Sequence, residues 1–201
     1  SNGLVLEALE PVARCVAGLD IDGPALYASP SFGSPKIALL QGDAMAFPFR
    51  SGTIDLIVCA QVYEHVPDDT QLVAEMWRVL RAGGVIFFSG PNFLFPIEPH
   101  YGLPFLHWLP RRAADALVRA IGKGPRYYER SRTTTGLRRL LREFVVRDLT
   151  PEVMRYEWAQ RQGIAASVLR LVPKWFWQLT SPLAPNMNWI LQKPETVPEE
   201  V

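Results

Sequence analysis

The sequence is short of several things that would narrow its role. It has no excess of either charge: 21 Lys and Arg stand against 20 Asp and Glu, a formal net charge of +1. Nucleic acid is held through a basic surface, so no nucleic-acid partner is expected. Cysteine is scarce. Cys15 and Cys59 have no Cys or His at metal-ligand spacing, so no metal site is expected. Both fall in apolar runs and read as buried free thiols of a reducing, cytoplasmic compartment. Only His65, His100 and His107 are available as histidine bases. No stretch approaches the roughly 18 consecutive apolar residues of a membrane span, and no secretory signal pattern opens the chain. Internal repeats and low-complexity tracts are absent.

What is present is a globular composition, 48% hydrophobic over 201 residues, enough for one sizeable core. Apolar runs at 4–6, 16–21, 37–40, 54–60 and 85–89 read as strands. The first ends at Glu7, the second at Asp20, and the third is followed by Asp43. The run 54–60 is nearly continuous and reads as a central strand covered on both faces. Short helices are expected at 8–17 and from Pro24. A longer helix over 70–80 is capped by Asp68-Asp69, with Leu72, Val73, Met76, Val79 and Leu80 at helical spacing and Gly83 as terminator. Strand alternating with helix argues for right-handed crossovers and a mostly parallel sheet. In such sheets ligands bind beyond the carboxyl ends of the strands, which draws attention to the strand-end acids. Beyond residue 90 come a Pro- and aromatic-rich stretch to 110, helices at 111–121 and 134–144, a strand at 145–150, a helical pair within 152–179 and a last strand at 187–193.

Four blocks carry more than periodicity. They are Gln41-Gly42-Asp43-Ala44-Met45-Ala46-Phe47-Pro48-Phe49, Thr53-Ile54-Asp55-Leu56-Ile57-Val58-Cys59, Tyr63-Glu64-His65-Val66-Pro67-Asp68, and Val79-Leu80-Arg81-Ala82-Gly83-Gly84-Val85-Ile86-Phe87-Phe88. In this order they resemble the class I S-adenosylmethionine-dependent methyltransferases, of the "methyltransferase domain 11" type. The resemblance is specific over 37–92 and looser over 133–193. It implies an α/β fold: a Rossmann-like three-layer α/β/α sandwich with a mostly parallel seven-stranded sheet and an antiparallel last strand. It implies S-adenosyl-L-methionine as cofactor. Asp20 looks like the acid that accepts from the ribose hydroxyls, with Ile21 beside it. Asp43 looks like the adenine-side acid, with Ala44 and Met45 against the base. Gln61 looks like a residue of the methionine end, and Glu7 matches the acid that ends the first strand.

The chain departs from the family at its start. A glycine-rich loop should follow the first strand, yet Glu7 runs into Ala8-Leu9-Glu10-Pro11 and only 12 residues separate Glu7 from Asp20. A loop, a helix of three turns and a strand need roughly 18. The favoured reading is that a segment between Glu7 and Asp20 is missing from the sequence. The alternative is a true absence, which would suit a catalytically silent binding or scaffold relative. A nicotinamide-dependent dehydrogenase is a third reading, since a strand-end acid such as Asp20 suits that cofactor too.

The acceptor is less specified. His65, His100 and Tyr101 are the candidate catalytic residues, and Asn92 is a candidate for positioning an acceptor. The expected organisation is a single methyltransferase domain over 1–201, with a substrate lid at 93–130 and a helical insertion at 151–185. Trp158, Trp175, Phe176, Trp177 and Trp189 concentrate aromatic surface in the last quarter, beside Lys174. They suggest a small-molecule, glycan or lipid-linked acceptor and a peripheral membrane contact.

Overall fold

A computed structural model of the chain describes residues 3–29, 33–162 and 172–195. Its elements in chain order are α1 (Leu4–Leu9), β1 (Val16–Asp20), α2 (Gly23–Tyr27), β2 (Ile37–Gln41), β3 (Ile54–Ala60), α3 (Asp69–Val79), β4 (Leu80–Pro91), β5 (Ile97–Glu98), β6 (Leu103–Pro104), α4 (Arg111–Ala120), α5 (Thr134–Leu140), β7 (Val145–Asp148), α6 (Thr150–Gln162), α7 (Lys174–Thr180) and β8 (Asn186–Gln192).

The α/β class holds, with a mixed sheet at the core and helices flanking it. β3 and β4 are parallel, and β8 runs antiparallel between β4 and β7. β1 and β2 form a separate parallel pair. The strand expected at 4–6 is a helix instead. Three apolar residues carry no period of their own, and Leu, Glu and Ala are strong helix formers. Glu7 N–H donates to the Gly3 carbonyl at 3.1 Å and Glu10 N–H to the Leu6 carbonyl at 3.0 Å. With 4–6 helical, no strand among the described residues pairs with the second edge of β1 or of β3. β3 is therefore an edge strand rather than a doubly covered one, and Leu56 is 43% exposed.

The stretch between Glu7 and Asp20 is filled by helix and turn. Residues 4–20 run as helix, turn and strand. Val12 and Ala13 N–H groups close on the Leu9 carbonyl, and Val16 N–H donates to the Lys36 carbonyl. A Cβ on Gly18 would stand 2.8 Å from Leu6 Cδ1, so α1 packs directly on β1. In the chain as it stands, the 12-residue spacing accommodates a helix leading into β1.

α3 forms as its sequence predicts. Asp68 caps it, accepting from Thr70 N and Gln71 N at 2.9 and 3.1 Å. Leu72, Val73, Met76 and Val79 are buried on one face. Leu72, Val73 and Met76 meet Ile86 and Phe88 of β4, Trp189 and Leu191 of β8, and Leu137 and Leu141 around α5 in one core cluster. Each such side chain contributes about 1.5–3 kcal/mol by burial. Gly83 does not terminate α3. The helix passes at Leu80 straight into β4, and Gly83 takes φ 70° where the β3–β4 register shifts.

Residues 93–130 stand apart from this core. The β5–β6 hairpin, a 3-10 turn at Leu106–Trp108 and α4 close around Leu106, Ala114, Val118 and Tyr127. α6 and α7 lie in sequence between β7 and β8, with buried Trp177 against Met154 and Val172. Trp189 is fully buried in the main core, while Trp175 on α7 is 62% exposed. Residues 163–171 and the Trp158 side chain lie outside the described residues. Cys59 is buried as expected, but Cys15 is exposed in the turn before β1. Among the described residues, no helix is long and apolar enough to cross a membrane.

Candidate active site

Two acids mark the carboxyl edge of the β1–β2 pair. Asp20 is the last residue of β1, opposite Gln41 in the register. Its carbonyl accepts from Gly42 N at 3.0 Å, which ties the end of β1 to the turn that carries Asp43. Asp20 Oδ1 accepts from Asp22 N at 3.0 Å. Asp43 Oδ1 accepts from Met45 N at 2.8 Å, so the same carboxylate shapes the Ala44-Met45 turn. Ala44 packs against the main core, and Ile21 is exposed beyond Asp20. Arg78 of α3 holds this segment in place. Its guanidinium donates to the Phe47 and Phe49 carbonyls at 3.0 and 2.8 Å and pairs with Glu75, which accepts from Phe47 N at 2.8 Å.

The second half of the site lies beyond β3 and β4. Gln61 takes φ 56° directly after β3, its N–H donates to the Ser89 carbonyl, and its amide reaches Asn186 at 3.4 Å. Tyr63 is buried, donates to the Pro91 carbonyl and accepts from Arg132 N. Its ring occupies the place a Gly90 side chain would need, so glycine is required there by space. Glu64 follows with 0% exposure, and neither carboxylate oxygen has a hydrogen-bond partner.

His65 and His100 converge on that carboxylate. Their Nε2 atoms lie 3.7 and 3.9 Å from Glu64 Oε1, and the two rings meet edge to face at 4.8 Å. His100 Nδ1 contacts buried Glu98 at 2.9 Å, and Glu98 also accepts from Tyr101 N at 2.6 Å. Burial pushes the Glu64 carboxyl up to about 7. Burial and the neighbouring His100 push His65 below its usual value. The hydrogen bond to Glu98 raises His100. Burial opposes ionisation of Glu98, yet the bonds from His100 and Tyr101 N hold its carboxyl below the usual range.

The other expected residues are placed differently. Glu7 sits in the first turn of α1, not at a strand end, so the role of a sheet-edge acid falls away. Tyr101 turns from the histidine pair into the 93–130 unit, against Tyr127 at 5.6 Å. Asn92 is buried and held on three sides: it donates to the Pro182 and Ala184 carbonyls and accepts from Leu94 N. It fastens the end of β4 to the approach to β8. A cavity of about 200 Å³ opens between Phe93, His107, Arg111, Tyr127 and Glu129. Sequence reasoning missed Glu64, Glu98 and Glu129 as buried acids. The signal the sequence offers is Glu64 beside His65.

A family model described as "Methyltransferase domain" matches residues 1–88. The chain is 38% identical over 91 residues to a "Probable S-adenosylmethionine-dependent methyltransferase" of Mycolicibacterium smegmatis, across 45% of this chain and 35% of that protein. It is 30% identical over 168 residues to an uncharacterised methyltransferase of Mycobacterium tuberculosis, across 82% of this chain and 60% of that protein. Over residues 1–88 the chain matches the methyltransferase family model, and it is similar to class I S-adenosylmethionine-dependent methyltransferases. It spans 35% to 60% of the length of these curated relatives. In fold it resembles a geranyl diphosphate methyltransferase solved with S-adenosylmethionine, at TM-score 0.57 and 16% identity, over 97% of this chain and 75% of that one. Within the methyltransferase-like chain, the family match covers α1 through most of β4, and so includes Asp20, Asp43, Gln61, Glu64 and His65.

Proposed function

We propose that this chain binds S-adenosylmethionine and transfers its methyl group to a small-molecule, glycan or lipid-linked acceptor. The observation that carries the reading is the pairing of Asp20 and Asp43 at the ends of adjacent parallel strands, joined by the Asp20 carbonyl to Gly42 N bond. When bound, the cofactor supplies a methyl group on a positively charged sulfur, open to in-line attack.

The residues present fit the adenosine half. A carboxylate at Asp20 accepts from two ribose hydroxyls, and Asp43 accepts from the adenine amino group through the oxygen not used by Met45 N. Ala44 and Met45 cover the base, and Gln61, in its left-handed turn, faces the methionine end. On the acceptor side, the Glu64, His65 and His100 cluster orients the acceptor and takes its proton where the acceptor is a hydroxyl. His65, whose proton affinity burial lowers, stays neutral near pH 7 and able to accept one. Residues 93–130 act as the lid that excludes water. Exposed Trp175, Phe176 and Leu179, with Lys174 at the start of α7, favour an apolar or lipid-linked acceptor met at a membrane surface.

Isothermal titration of the full-length protein with S-adenosylhomocysteine tests the reading. One site with Kd of about 100 µM or tighter is expected. Absence of binding heat would overturn it in favour of a catalytically silent relative.

A further inference from the structure

We propose that Glu64, His65 and His100 form a binding site for a divalent transition-metal ion of the zinc class. One oxygen of Glu64 and one ring nitrogen of each histidine all lie within 4.8 Å of one another. Two nitrogens and one carboxylate oxygen on three side chains, with a side open, make a donor set that suits such an ion.

The second observation is Glu64 itself. It is fully buried, both oxygens lack a hydrogen-bond partner, and it points at the two imidazoles. A buried carboxylate without a partner is costly, and a cation between it and the rings removes that cost. His100 adds a further sign. With Nδ1–H donated to Glu98, Nε2 carries a lone pair directed at the Glu64 oxygens 3.9 Å away. With both groups unprotonated, acceptor faces acceptor, and a cation between them relieves that contact as a proton on either would. The carboxylate, histidine, metal order is also the usual way a second carboxylate orients a histidine ligand. The protein adds the fixing: Tyr101 N holds the other oxygen of Glu98, Arg130 N holds the Glu64 carbonyl, and the β5–β6 turn carries His100.

A zinc ion sits about 2.0–2.2 Å from nitrogen and oxygen ligands, so the Glu64–histidine pairs at 3.7 and 3.9 Å must close by some tenths of an ångström and the histidine pair, within 4.8 Å, by about one ångström. His65, with its side chain 44% exposed, has room to make that move. The 34 residues between His65 and His100 hide the site from any spacing motif. On the methyltransferase reading, the open position faces the lid and would take an oxygen of the acceptor, the histidines then serving as ligands rather than bases.

The test uses tag-free, full-length protein carrying Cys15→Ser, stripped with chelator and titrated with ZnCl2. One equivalent binding with Kd of about 1 µM or tighter is expected. Glu64→Gln, His65→Ala and His100→Ala should each weaken it by about tenfold to a hundredfold. Cobalt(II) should give a visible absorption band that Glu64→Gln and His100→Ala abolish. No saturable binding, or binding unchanged in His65→Ala and His100→Ala, would overturn the proposal. His65→Ala lies at the surface and keeps the test open if Glu64→Gln fails to fold. Zinc binding is read apart from S-adenosylhomocysteine binding, so the failure of one leaves the other standing.

Discussion

The ring of Tyr63 lies across the α-carbon of Gly90, in the volume a β-carbon there would fill. Tyr63 has no room to retreat, because its hydroxyl bridges the Pro91 carbonyl and Arg132 N and its ring packs on Phe88 at 5.4 Å. Burial also pushes its hydroxyl well above the usual range and keeps it a donor. Gly90→Ala should therefore destabilise the fold by about 2–3 kcal/mol, as overpacking does. Thermal melts check this; a midpoint within a degree of the parent would show that the strand end yields. Tyr63→Phe, which keeps the ring but strands both hydrogen-bond partners, should cost about 1–2 kcal/mol.

Cys15 and Cys59 give a contrast in chemistry. Cys15 is exposed, whereas burial, and then the Glu64 charge, push the Cys59 thiol up to about 12. Maleimide at neutral pH should label one cysteine in native protein and two in denaturant, read by intact mass. Two rapid labels in native protein would contradict the burial of Cys59. The sign for stability follows from linkage. The folded pKa lies above the ordinary thiol value of 9.0, so the native state holds the extra proton. That contribution is complete below pH 9 and is lost as pH rises towards 12. Cys59→Ala should flatten the alkaline limb of the stability profile.

Much of this was legible in the sequence, for identifiable reasons. α3 announced itself through Asp68 and the spacing of Leu72, Met76 and Val79. β2, β3 and β8 were long enough to show as apolar runs. Asp20 and Asp43 stood out because strand ends are short-range features. The run at 4–6 was too short to choose between helix and strand, and Glu7 was misplaced with it. The meeting of Glu64 with His100 was invisible because a hairpin after β4 brings it about. Asn92 looked like a site residue because nothing local reveals that Pro182 and Ala184 return to it.

Arg78 links α3 to the turn beyond β2. Its planar fork reaches two carbonyls and Glu75 at once, which an ammonium cannot reproduce. Arg78→Lys should loosen 43–49, speed amide exchange at Phe47, and weaken S-adenosylhomocysteine binding by about three- to tenfold. An unchanged affinity would mean that the turn holds its shape without the bracket.

Asp20 and Glu7 provide the sharpest pair, since one reading of the sequence gave both the same standing. Asp20 ends β1 beside Gly42, while Glu7 faces out of the first turn of α1. Loss of a carboxylate that accepts from two hydroxyls should cost at least about tenfold in affinity, roughly 1.4 kcal/mol. Asp20→Ala is thus expected to raise the Kd for S-adenosylhomocysteine by that factor or more, with Glu7→Ala within about twofold of the parent. Titration of both variants at matched folding, checked by circular dichroism, decides it. Equal losses in the two would return Glu7 to the cofactor side and count against the placing of α1; no loss in either would remove the ribose role from Asp20.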